Sequence, residues 1–530
     1  MGRNYLSAAA ARAVNPPQSE PLNKRQVKNN AGGFVYAVDD WKRLDRFLIL
    51  GSEGGTYYVS EHDITKTNIN TIMRVVAEDG IRVVNRVIEI SDSGRAPKND
   101  PALFVLAYAA SKGDLQTRSY ALNSLPKVAR IGTHLFHFVD YARKFRGMGR
   151  GLRSAITEWY ASKNASQLAS QVTKYQSRDG WSHRDLLRLV HPHFEGAHQV
   201  IARWVVKGEL EAEDGGSIPR ALLGHVAIQK ATDPKEAAEI IREFGVVRES
   251  VPTQLLNSPE VWEALLENMP LTALIRNLGN MSKVGLLVPM SDASKLVVSR
   301  LTDNEALKKA RIHPIQLLLA AKVYGQGKGM KGSGSWTVVP KVAEALDDGF
   351  YASFKFVQPT GKRHYIGVDV SGSMGCGTIA GTPLTPREGA AALSLVTART
   401  EEEYYIAGFQ SKLVKLPFSS KTTLKDAVNR TANLSFGSTD CAAPMLDALA
   451  QGIKADVFEV ITDNETWAGN VHPMVALQNY RNKTGINAKL VVVGMTATEF
   501  TIADPADAGT LDVVGFDASA PAVIADFVRE

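Results

Sequence analysis

Three short strings carry the oxygen donors that a divalent cation needs. Asp369-Val-Ser371-Gly-Ser373 closes an apolar run, FGSTD (436–440) supplies Thr439, and the run VFEVIT ends at Asp463. Carboxylates and hydroxyls are hard donors, and the set suits Mg2+ or Mn2+. The D-x-S-x-S string alone recurs by chance. Its weight comes from the three elements following in order at the ends of strand-like runs. A second constellation is cationic: Arg143, Lys144, Arg146, Arg150 and Arg153, with Phe145, Trp159 and Tyr160 among them. Arginine forks onto phosphate, and aromatic rings stack on unpaired bases. Any one of these arginines reads equally as a solvated surface charge. Tyr141, Trp159 and Tyr160 read as core before they read as stacking platforms. Hydrolytic metal chemistry asks for bridged ion pairs or a base beside the ion. The sequence has no H-E-x-x-H, no phosphate loop and no carboxylate cluster, so no enzyme activity is expected.

Composition narrows the setting. The chain has 530 residues, 44% hydrophobic and 22% charged, which is enough for two or three folded domains. No apolar run is long enough for a membrane span. The start MGRNYLSAAAARAV has no apolar signal core, and Leu6 stands where a myristoylation signal needs Ser or Thr. Cys376 and Cys441 are too few for a disulfide framework or zinc site and read as reduced, small apolar side chains. A cytoplasmic setting is the expectation. The formal charge is +6, yet residues 101–200 alone carry +8 and residues 361–530 carry −5. Positive charge gathered in one stretch attracts a polyanion, because each phosphate contact releases a counterion.

Two grammars position these residues. Residues 1–30 read as a flexible polar tail, and Asp40–Leu50 as a short helix between irregular segments with Gly32-Gly33 and Gly54-Gly55. From about residue 69 to 320, apolar residues recur at three and four. Asp100 reads as a cap with Pro101 in the first turn and Gly113 as the stop; Ser182 and Asp185 form a capping box; Asp233, Ser258 and Asp303 are further starts. With no strand signal there, stacked antiparallel helix pairs of the HEAT kind are expected. YGQGKGMKGSGSW (324–336) lacks phosphate-loop spacing and reads as a flexible loop. After residue 360, RHYIGVDVS, EEEYYIAGF, VFEVITD, AKLVVVGM and LDVVGF alternate with helical stretches. That predicts a doubly wound α/β domain whose working edge lies beyond the strand carboxyl ends. The expected division is a tail (1–30), an all-α helical-repeat region (31–360) and the α/β domain (361–530).

The cation triplet resembles the metal-ion-dependent adhesion site of von Willebrand A-type domains. By that resemblance Ser371, Ser373 and Thr439 bind directly through neutral hydroxyls. Asp369 and Asp463 act through waters and orient the serines. An ion with uncharged direct ligands stays electrophilic and takes a carboxylate from an acidic protein ligand. The strings GGFVYAVDDWKRLDRFLILGSEGGTYYVSE, GDLQTRSYAL, HLFHFVDYARKFRGMGRGLRSAITEWY and VTKYQSRDGWSHRDLLRLVHPH resemble the TROVE module of the Ro (SS-A) ribonucleoprotein family. There too an A-type domain follows. The resemblance covers nearly all of the chain after residue 20 and is nearest in compactness to bacterial members.

The resemblance implies a HEAT-like ring closed by the A-type domain, with a basic central hole. Small noncoding Y RNAs bind its outer surface, and misfolded RNAs or rRNA precursors pass single-stranded 3′ ends into the hole. It also implies RNA quality control, stress survival and association with an exoribonuclease. Lys174, Arg178 and His191 match the family's RNA-binding Lys, Arg and His. On the residues alone, Lys174 and Arg178 lie four apart, so a helix sets them on one side. His191 lies one helix on and would otherwise read as a buried, satisfied histidine. A closed ring favours a monomer. A rival reading makes the helices a platform and the A-type domain a metal-dependent adhesion scaffold for an acidic protein. A chelatase- or ATPase-associated subunit is disfavoured by the missing phosphate loop.

Overall fold

Helix punctuation in the sequence is realised in the chain. A computed structural model describes residues 16–51, 61–93, 95–96, 98–211, 214, 216, 218–310, 312, 314–329, 334–353, 359–379, 384–410, 413–434, 437–496, 498–514 and 520–529. Gly54-Gly55 and part of the glycine-rich loop (330–333) lie outside the described residues. Asp40–Leu50 is a helix whose N-cap, Asp39, accepts from Lys42 N. Ser182 and Asp185 form a reciprocal capping box, and Asp233 and Asp303 cap their helices through their side chains. Two starts differ from expectation. Asn99, not Asp100, occupies the cap of Asp100–Lys112, and Ser258 sits at a cap position without bonding the helix N–H groups.

The helices stack layer on layer. Glu61–Ser93, kinked at Asp79, packs on Asp40–Leu50 and on Asp100–Lys112; the succession then runs through Gly132–Arg146, Arg150–Ala161 and Ala165–Lys174 to Pro340–Ala352. One apolar core joins residues 44 to 222. A second begins at Ile228 and continues without a break into the α/β domain.

The strands are β1 (Gln26–Lys28), β2 (Phe34–Ala37), β3 (Ser177–Arg178), β4 (Trp181–Ser182), β5 (His364–Asp369), β6 (Tyr404–Phe409), β7 (Leu413–Lys415), β8 (Val457–Thr462), β9 (Lys489–Gly494), β10 (Phe500–Thr501) and β11 (Thr510–Val514). The main sheet has the order β11-β9-β8-β5-β6-β7, parallel except for β7. Alternate residues serve opposite faces. Ile366 and Val368 pack with the Pro386–Thr400 side, while Tyr365 packs with Leu477 and Tyr480. Strand order reverses between β5 and β8, which makes their carboxyl ends the switch point where ligands sit in such sheets.

Residues 16–30 correct the expectation of a flexible tail. Gln18 is fully buried, β1 pairs with β2, and β2 pairs antiparallel with β10 of the α/β domain. The pairing joins residues more than 460 apart, so no local pattern announces it. The helical array also returns to the α/β domain at its far end. There Lys322 bonds Glu388 (2.5 Å), and Asp347 accepts from Leu424 N (3.0 Å). At the near end Arg46, fully buried, pairs with Asp512 at 2.9 and 2.8 Å. The layers and the α/β domain thus form a closed circuit.

Candidate functional site: a cation pocket and a basic surface

The switch point gathers the predicted cation residues. Asp369 ends β5, and its Oδ1 accepts from Ser371 N (2.9 Å) while its Oδ2 accepts from Thr462 Oγ1 (2.6 Å). The hydroxyls of Ser371 and Ser373 lie 3.1 Å apart. The loop is held from behind by Arg387, which donates to Ser371 O (2.9 Å). Asp463 follows β8; its Oδ1 accepts from Glu465 N (3.0 Å). Its buried Oδ2 has no hydrogen-bond partner among the described residues. Thr439 is buried, and its backbone carbonyl accepts from Trp467 N and Ala468 N (3.1 and 2.9 Å), tying it to the Asp463 loop. Asp369 and Asp463 are both fully buried. Burial raises both carboxyls above the usual carboxylate range, and the charge of Asp369 pushes Asp463 up further.

Two buried carboxylates beside paired hydroxyls, one oxygen left unbonded, make an electronegative hole. A hard divalent cation fits that donor set. Among the described residues no group of three His, Cys, Asp or Glu side chains forms a metal cluster; this pocket is built from hydroxyls with two carboxylates. Cys376 and Cys441 are free thiols. Burial pushes the Cys441 thiol up, and Asp369 adds to the shift.

The cluster from Arg143 to Arg153 falls on exposed positions, whereas Lys174 is half-buried with its ammonium over the Tyr175 ring. Gly132–Arg146 buries Leu135, Phe136, Phe138, Val139 and Ala142, leaving Arg143, Lys144 and Arg146 in its last turn facing water. Arg150–Ala161 buries Leu152, Ile156, Trp159 and Tyr160, leaving Arg150 and Arg153 outside. Trp159 and Tyr160 are therefore core. Trp159 Nε1 bonds Ala129 O, and the Tyr160 hydroxyl meets His183 Nδ1 at 2.8 Å. Tyr141 packs edge-on against Phe104. Lys144 is partly neutralised by Asp140 (2.7 Å).

Lys174 and Arg178 do not share a helix face. The helix ends at Lys174, and Arg178 lies in β3 of a two-strand hairpin turned by Asp179 and Gly180 at φ +53° and +77°. An Asp-Gly pair tolerates the left-handed backbone of such a turn, so the turn overrides the helical spacing. His137 bonds Asp179 and so fixes the hairpin to Gly132–Arg146. His191 takes the left-handed C-cap of His183–Val190 (φ +47°) and is exposed, so it is not a satisfied core histidine.

Two residues went unrecognised in the sequence. Trp181 pairs with Arg178 across the hairpin and carries the Arg143 guanidinium 5.3 Å above its ring. It thereby joins the Arg143 cluster to the hairpin. Arg118 joins Arg146 and Arg150 around an open cleft of about 520 Å³ floored by Ala110, Leu122 and Leu152. Only the contact of separate helices reveals Arg118; the Asp-Gly turn after Arg178 was the one local signal for Trp181. No helix is long and apolar enough to cross a membrane among the described residues.

Fold and side chains together define a class: a layered helical array closed by a von Willebrand A-type domain whose strand ends gather buried hydroxyls and two carboxylates. The family model of the TROVE domain matches residues 27–212 and 243–323, and that of the Ro60 vWA domain matches 363–528. A curated relative, "RNA-binding protein RO60" of Deinococcus radiodurans, is 44% identical over 98% of either chain. "RNA-binding protein RO60" of Caenorhabditis elegans is 37% identical, covering 97% of this chain and 91% of its own. The crystal structure of the Deinococcus radiodurans RO protein superposes with a TM-score of 0.70 at 41% identity, over 93% of this chain and 99% of that one. The chain belongs to the Ro60 family.

Proposed function

We propose that this protein binds RNA and performs no catalysis of its own. What carries this reading is the contact of exposed Arg143 with the half-buried Trp181, which pairs across the hairpin with exposed Arg178; Arg150 and Arg153 on the next helix and His191 at the end of His183–Val190 are exposed as well. The relatives are named for RNA binding, which supports the reading. Sequence-independent phosphate contacts hold the backbone, because A-form grooves hide the base edges. The cleft of Arg118, Arg146 and Arg150 combines guanidinium groups with an apolar floor, which suits an unpaired nucleotide. Its ligands on this reading are small noncoding Y RNAs on the outer surface, and misfolded RNAs or rRNA precursors with single-stranded 3′ ends. The setting is cytoplasmic RNA quality control and stress response beside an exoribonuclease, with the protein as a monomer.

The cation pocket is a separate site. Ser371, Ser373 and Thr439 would hold Mg2+ or Mn2+ directly, with Asp369 and Asp463 through water. The bound ion supplies an electrophile for a carboxylate of an acidic protein ligand. That supports the adhesion reading as a second function. Immunoprecipitation from the native cells followed by sequencing tests the first. Enrichment of a small structured RNA is expected, and co-purification of protein alone, with no RNA enriched, contradicts it.

A further inference from the structure

Residues 16–38 form a strap across the two loops that carry Thr439 and Asp463. Gln18 is its anchor. The Gln18 amide donates to Asp440 Oδ1 (2.6 Å) and to Val471 O (3.0 Å), and its Oε1 accepts from Thr466 Oγ1. One buried side chain therefore holds the residue after Thr439 to a residue three past Asp463. Asn29 donates to Thr466 O (2.6 Å) and Asn464 O (3.3 Å), while Asn30 and Ala31 N bind the Glu465 carboxylate at 2.7 and 3.0 Å. The approach is so close that a Cβ on Gly33 would stand 1.9 Å from Thr466 O.

The same strap continues into the seam between helices and A-type domain. β2 pairs with β10, Val38 N bonds Glu499 O (2.9 Å), and Asp39 caps the helix bearing Arg46. Arg46 bonds Thr498 Oγ1 (3.2 Å), and that hydroxyl reaches Asp463 O (3.3 Å). Two routes thus run from the cation loops to the first helix of the array. One passes through Gln18 and the strap, the other through Thr498 and Arg46.

We propose that occupancy of the cation pocket and attachment of the strap are coupled, so that the N-terminal seam of the ring tightens when the pocket is filled. This rests on the cation reading above. Gln18 is a positioning residue, since it ties together the two loops that would hold the ion and is not itself one of the residues that would bind it. The Asp369–Ser373 loop has no strap contact among the hydrogen bonds described, so the strap acts on the Thr439 and Asp463 half of the pocket. Coupling is reciprocal: whatever factor the strap adds to cation affinity, the cation adds to strap closure.

The test uses full-length protein and Mn2+ alone. Electron paramagnetic resonance titration gives Mn2+ affinity, and hydrogen exchange gives protection of the amides of β2 and β10. Wild type is expected to show slower exchange at residues 34–38 with Mn2+, and no such change in Asp369→Ala. Gln18→Ala is expected to weaken Mn2+ binding roughly tenfold, within the usual range of coupling free energies. Gly33→Ala, which acts at a different point of the strap, should shift affinity in the same direction. Unaltered strap exchange in Mn2+-saturated wild type overturns the coupling while leaving the pocket standing; that measurement needs no variant to fold. Absence of Mn2+ binding in wild type overturns the cation reading itself, and the coupling with it.

Discussion

At the scale of single residues, the two sites differ in how they announce themselves. Asp369, Ser371 and Ser373 fall within five residues of one string, and Asp463 follows a strand of six buried positions, so the string itself displays them. Arg118 is invisible in that way. It belongs to Leu115–Asn123, and it meets Arg146 and Arg150 only because three helices converge. Arg146 is steadied by Ser111 O (3.2 Å), which leaves Arg118 and Arg150 the freer to meet phosphate. Arg118→Ala is therefore expected to weaken binding of an RNA with an unpaired end several-fold, through loss of one charge-assisted contact. A fully paired RNA of equal length should bind as before. Competition binding with the two RNAs measures this, and equal loss for both places the single strand elsewhere.

Elements decide what those residues can reach. Apolar spacing made the helical region legible as a whole, and the cap signals at Ser182, Asp233 and Asp303 marked true helix starts, since these signals act within one turn. The hairpin of β3 and β4 was missed because a two-residue strand carries no period; its Asp-Gly turn was the only mark. Behind the hairpin, His183 begins the helix that ends in His191. Burial pushes His183 down to about 4 from its usual 6.5, and His134 in the neighbouring helix down to about 3. In each the folded state refuses a proton that the unfolded chain accepts. Stability from these residues is thus complete above pH 6.5 and is lost as the pH falls toward 4. For His183 the full loss is about 3 kcal/mol. Denaturant unfolding at pH 7 and pH 5 should show the fall, and His183→Gln should remove its share of the slope. An unchanged slope in that variant would assign the acid sensitivity to other groups.

On the scale of the whole molecule, long-range pairings close the circuit, and these no sequence period could show. Gln18 meets Asp440, Arg46 meets Asp512, and Phe500 pairs with Ala37. Each links the start of the chain to its last third. Residues 16–30 looked like a tail because polar side chains there satisfy a partner surface instead of water. Arg46→Met removes a buried partner and strands Asp512, so it should cost about 3–5 kcal/mol. Thermal unfolding reads this, and an unaltered midpoint would mean that the seam is held without the pair. The charge asymmetry, +8 in residues 101–200, was legible at once and now has a surface to occupy. The central claim is that exposed cations on the helical array grip RNA phosphates independently of the cation pocket. Filter binding of a small structured RNA across a salt series, with and without EDTA, tests it most directly. Wild type should lose affinity steeply with salt and ignore EDTA, while the Lys174→Ala, Arg178→Ala, His191→Ala triple variant binds weakly with a shallower slope. A flat salt dependence, or wild-type affinity in the triple variant, would contradict it.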